Sequence, residues 1–74
     1  MERINDYEEY KSRVSLWVDD NIKYTNPNNP TAEMVWIISH AKNNTFAASF
    51  VFQDEDARHF NHDVKLECQK RLTH

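Results

Sequence analysis

The chain contains no glycine at all. A phosphate-cradling loop and a dinucleotide fingerprint both need glycines where backbone must approach the ligand closely, so both are excluded. The strained nucleophile elbow of serine hydrolases falls for the same reason, and Ser12, Ser15, Ser39 and Ser49 have no such setting. Turns that require positive φ must use asparagine or aspartate, and eight asparagines are available for them. Cysteine is nearly absent too. With Cys68 alone there is no disulfide framework, and a lone thiol of this kind reads as a small core hydrophobe in a reducing compartment.

Basic residues are also in short supply. Nine lysines and arginines against twelve acids give a net charge of −3. Nucleic-acid binding ordinarily shows as clustered positive charge, so this balance speaks against it. No apolar run approaches the ~20 residues of a membrane span. The opening MERINDYEEYK is polar and acidic, unlike a secretory signal, and the expectation is a soluble cytoplasmic protein without membrane attachment. Asn43-Asn44-Thr45 matches the glycosylation pattern, but a cytosolic chain would not use it. At 74 residues the chain reads as one small domain, 1–74, burying only about 60% of its unfolded surface.

What is present reads as an α+β fold in the order α-β-β-α. Residues Asn5 to Ile22 form an amphipathic helix, because Tyr7, Tyr10, Val14, Trp17, Val18 and Ile22 repeat at spacings of three and four. Asn5 and Glu8 have the spacing of a capping box, and Glu9–Arg13 is a favourable i,i+4 pair. Asp19 and Asp20, near the expected helix end, are an unfavourable placement against the dipole or an acidic patch for a partner's basic side chains. Two Asn-Pro steps between Thr25 and Thr31 suit an extended connecting loop.

The centre of the expected fold is an antiparallel hairpin from Met34 to Gln53. MVWIISHA and TFAASFVFQ are its strands, joined at Lys42-Asn43-Asn44. Alternation then divides the residues between two faces. Val35, Ile37, Ser39, Ala41, Phe46, Ala48, Phe50 and Phe52 make an almost wholly apolar core face. The other face gathers Trp36, Ile38 and Val51 near its centre, with Met34 and His40 beside them. The final helix runs from Asp54, an N-cap candidate, to Leu72, with Ala57, Phe60, Val64, Cys68 and Leu72 as its buried stripe. Both helices are expected on one face of the hairpin.

No catalytic constellation emerges. His59 and His62 share a helical turn and are the candidate metal ligands, but zinc wants a third and fourth ligand, and solvated histidines are the simpler reading. Asp54-Glu55-Asp56 lacks the ligand spacing of a calcium loop. The expectation is a chain that is not an enzyme and carries no cofactor. A two-stranded sheet is marginal alone and leaves open edges, so two copies could complete a four-stranded sheet or stack their second faces in a homodimer. The functional expectation is a small binding or regulatory module acting by protein–protein contact through Met34, Trp36, Ile38, His40 and Val51. Its composition suggests a phage- or mobile-element-type modulator of a host factor. The alternatives are a nucleic-acid binder, stacking bases on sheet aromatics beside Lys65, Lys70 and Arg71, and a metal-binding protein using His59 and His62.

Overall fold

The chain begins with a strand rather than a helix. The computed structural model describes residues 2–25, 30–43 and 48–72. Their order is β1 (Glu2–Ile4), α1 (Tyr7–Thr25), α2 (Pro30–Lys42), β2 (Phe50–Phe52) and α3 (Ala57–Leu72). The class is α+β, with three helices and one two-stranded sheet. The sheet is parallel: Glu2 lies opposite Phe50, Arg3 opposite Val51 and Ile4 opposite Phe52.

This corrects the expected antiparallel hairpin in two ways. Met34 to Ala41 is helical, and the strand formed by Phe50–Phe52 pairs with the N-terminus instead. The physical reason lies in the spacing of Met34, Ile37, Ile38 and Ala41. These fall at i, i+3, i+4 and i+7, a complete helical stripe that β-branched residues mask in a continuous apolar run. Ile37 and Ala41 are buried, with Met34 and Ile38 half-buried against the core. Pro30 as first helical residue adds to the case, since its fixed φ and missing N–H suit that position. Of the expected tight turn, Asn44 lies outside the described residues, as does the stretch 45–47 of the expected second strand.

The two outer helices follow their sequence patterns more closely. In α1, Tyr10, Val14 and Val18 are buried, and Trp17 and Ile22 pack beside them. Its cap is Asp6 rather than Asn5, with Asp6 Oδ1 accepting from the Glu8 amide at 3.1 Å. In α3 the cap is Asp56 rather than Asp54. Its Oδ1 accepts from the amides of Arg58 at 2.9 Å and His59 at 3.3 Å. The Arg58 guanidinium first, and these amide bonds second, hold the Asp56 carboxyl below the usual carboxylate range. Phe60, Val64 and Cys68 are buried as the stripe requires, and Leu72 lies exposed past its end.

Polar side chains fasten these parts together. Arg13 feels the charge of Glu9 but reaches β1 with its guanidinium, where Nη1 donates to Glu2 Oε2 at 2.7 Å. The same guanidinium lies over the Phe50 ring of β2, 4.6 Å from its centroid. Further along, Arg71 of α3 donates to Ser15 Oγ at 2.8 Å and meets Asp19 at 3.1 Å and Glu67 at 3.0 Å. Asp19 is thus occupied by the chain's own arginine. Because α1 continues to Thr25, it also sits away from the last turn where the dipole would oppose it. The contacts Tyr10–Asp63 and Ser15–Arg71 rise together along both helices, so α1 and α3 run side by side in the same direction.

The core lies where α1, α3 and the sheet meet. Phe60 touches Trp17 and Phe50 edge-on at centroid distances of 5.4 and 5.1 Å, and Phe50 meets Tyr10 at 6.0 Å. Helix α2 closes the assembly by packing chiefly on α3.

Candidate protein-contact surface

Helix α2 is apolar on more than one side. With 100° between successive residues, Met34, Ile37, Ile38 and Ala41 point inward and Ala32, Val35, Trp36, Ser39 and Asn43 point outward. The outward positions are exposed, and the two large ones stand well clear of the core, Val35 at 56% and Trp36 at 48% exposure. Trp36 is held in place locally. Its ring stacks on His40 at a centroid distance of 3.7 Å, and His40 Nδ1 lies 3.0 Å from the Trp36 carbonyl oxygen. The i,i+4 spacing of a helix brings these two rings together.

The expected contact residues therefore part company. Trp36 and His40 stay together on α2. Met34 and Ile38 are on the same helix but turn inward to half-buried positions, because two residues on a helix differ by 200° where two on a strand share a face. Val51 is not on this surface at all. It sits in β2 at 0% exposure, inside the core. In exchange, Val35, expected in the core, joins Trp36 outside. A period of 3.6 applied to residues 34–41 is the signal that would have found it.

A second concavity lies between α1 and α3. It is a groove of about 90 Å³ whose floor is Tyr10, Val14 and Leu66 and whose rim carries Lys11, Glu67 and Lys70. The Tyr10 hydroxyl donates to Asp63 Oδ2 at 2.7 Å. Burial first, and the Asp63 carboxylate second, push the phenol well above its ordinary range. His59 Nδ1 is 3.2 Å from the same oxygen, though off the line of a hydrogen bond. A phenol held so firmly protonated is a structural donor, with no tendency to act as a base at neutral pH.

The remaining candidates are dispersed. His59 faces Asp63 and His62 is exposed, and among the described residues no group of three histidine, cysteine or carboxylate side chains is placed to share a metal ion. Cys68 is buried, and burial pushes its thiol up to about 11. The basic end of α3 is smaller than its sequence implies, because Arg71 is neutralised by Asp19 and Glu67, and Lys70 lies 3.8 Å from Glu67. Among the described residues, no helix is long and apolar enough to cross a membrane. No family model, curated protein or solved structure matches this chain.

Proposed function

We propose that the chain is a non-enzymatic binding or regulatory module that acts by protein–protein contact, with the outward face of α2 around Trp36 as its contact surface. The observation that carries this reading is the exposure of Val35 and Trp36 on a helix that also buries Ile37 and Ala41. A helix that is apolar on several sides is ordinarily covered on several sides. Tryptophan is among the side chains that contribute most where protein surfaces meet. Its stacking on His40 adds to this, since a side chain already fixed loses little rotamer freedom on binding. The nucleic-acid alternative has less support, because Arg71, its strongest cation, is already enclosed by two carboxylates and a serine.

Replacing residue 36 with a photo-crosslinking amino acid tests the reading in living cells. The expected result is a discrete covalent protein adduct from position 36 and none from position 69, an exposed site on α3. Equal labelling from both positions, or none from position 36, contradicts it.

A further inference from the structure

The outward stripe of α2 differs from the rest of the surface in its charge. A chain of net charge −3 repels its own copies. The exposed side of α1 carries Glu9 and Asp20 beside the Glu8–Lys11 ion pair, so it offers a second copy no uncharged face. The stripe formed by Ala32, Val35, Trp36, Ser39 and Asn43 carries no charge at all. Two such stripes can meet without bringing carboxylates together.

The flank of the stripe sets a direction. Glu33 and His40 are seven residues apart, which on a helix places them almost in line, one toward each end of α2. Both are partly exposed beside Trp36. In a two-fold antiparallel pair of helices, a flank meets the same flank of the other copy with its direction reversed. A two-fold axis passing between positions 36 and 37 would thus bring Glu33 of each copy beside His40 of the other, twice. The same axis sets Trp36 against Trp36 and opposes the two helix dipoles. A parallel two-fold pairing would instead turn this flank toward the opposite flank of the other copy and keep Glu33 away from His40.

We infer that the occupant of this face is a second copy of the chain, packed α2 against α2 in antiparallel sense with the Trp36 side chains at the two-fold axis. This rests on the reading of the α2 face as a contact surface. A helix of 13 residues is about 20 Å long. One such helix against another lies at or under the small end of specific interfaces, roughly 1,200 Å² in total. The pair is therefore a weak, isologous dimer whose population rises with concentration.

Sedimentation equilibrium of the full chain from low micromolar to near-millimolar concentration tests the inference. The wild-type mass should rise from one chain toward two. Trp36→Glu and Ser39→Glu should both remain at one chain with their helical circular dichroism intact. Glu33→Lys should weaken association several-fold, and combining it with His40→Glu should restore it. A wild-type chain that stays monomeric throughout overturns the second-copy inference alone, because a covalent adduct from position 36 to a different protein would still uphold the contact surface. A dimer that neither Trp36→Glu nor Ser39→Glu weakens overturns both. If Trp36→Glu unfolds, Ser39→Glu decides the matter, since Ser39 is exposed and a folded, still dimeric Ser39→Glu chain contradicts the pairing.

Discussion

Tyr10 and Asp63 stand fifty-three positions apart, and the hydroxyl of one donates to the carboxylate of the other at 2.7 Å. This bond ties the first turn of α1 to the second turn of α3, as Arg71 with Ser15 ties the end of α3 to the middle of α1. Tyr10 is 1% exposed, so its hydroxyl has no ready alternative in water. Tyr10→Phe is expected to cost about 1.5–3 kcal/mol, the net worth of a hydrogen bond to a charged acceptor. Urea denaturation measures it. An unchanged midpoint would mean that the bond makes no net contribution.

Asn61 should behave in the opposite way. Its side chain is 1% exposed on α3, and among the described residues neither its amide nitrogen nor its amide oxygen has a hydrogen-bond partner. On the helical wheel it lies with Ala57 and Cys68, away from Asp63 and Glu67. An unpaired buried amide group costs about 1–3 kcal/mol. Asn61→Leu, which keeps the branching at Cγ and removes both polar atoms, is therefore expected to raise the urea midpoint, whereas Val64→Ala, a cavity in the same helix, should lower it. A lower midpoint for Asn61→Leu would contradict this account of the buried amide.

Gln53 is the one non-glycine residue with positive φ among those described, at 51°. It sits between β2 and α3, its amide donating to the Ile4 carbonyl at 2.9 Å and its carbonyl accepting from Arg3 at 2.7 Å. A left-handed conformation costs a residue with a Cβ about 1–2 kcal/mol, and glycine recovers that less the entropy of its freer unfolded chain. Gln53→Gly is accordingly expected to stabilise by up to about 1 kcal/mol in thermal or urea denaturation. Destabilisation would show that the Gln53 side chain contributes more than its backbone strain removes.

These particulars show what was and was not legible in the amino-acid order. The stripes Tyr10-Val14-Val18 and Phe60-Val64-Cys68 were readable because each helix buries one side and solvates the other. Their caps were one or two residues off, since Asn5 adjoins Asp6 and Asp54 nearly adjoins Asp56, and any of these side chains can accept from a first-turn amide. Helix α2 was misread because its apolar residues surround the axis, which hides the 3.6-residue period. Strand β1 has three residues and a single apolar one, too little for any pattern, and its partner lies far along the chain. Among the described residues positive φ falls on Gln53 rather than on asparagine or aspartate, because the hydrogen bond from its amide to Ile4 and the Arg3 guanidinium on its carbonyl outweigh local preference. Of the residues expected to share one exposed face, Trp36 and His40 stay together on the outer side of α2, Val35 joins them once the period is 3.6, and Val51 lies in the core.

The buried thiol and phenol set the alkaline behaviour. Burial raises Cys68 to about 11 from its ordinary 9.0, and Tyr10 is raised as well. An acid whose folded form holds its proton longer than its unfolded form loses stability as pH climbs between the two values. Thermal stability should therefore fall as pH rises from about 9 to 11, and Cys68→Ala should flatten that slope while lowering the overall midpoint through its small cavity. Native-state alkylation of Cys68 at pH 8 should be slow and should accelerate in urea. Rapid labelling without denaturant would contradict the burial of this thiol.

The account stands or falls on Trp36 belonging to an exposed contact face rather than to the core. The most direct measurement is the urea denaturation of Trp36→Glu, compared with wild type at a concentration where both are monomeric. The account predicts a change of less than about 1 kcal/mol with an unchanged denaturant slope, as for a surface position. A loss of more than about 3 kcal/mol, the cost of removing a buried tryptophan, would contradict it.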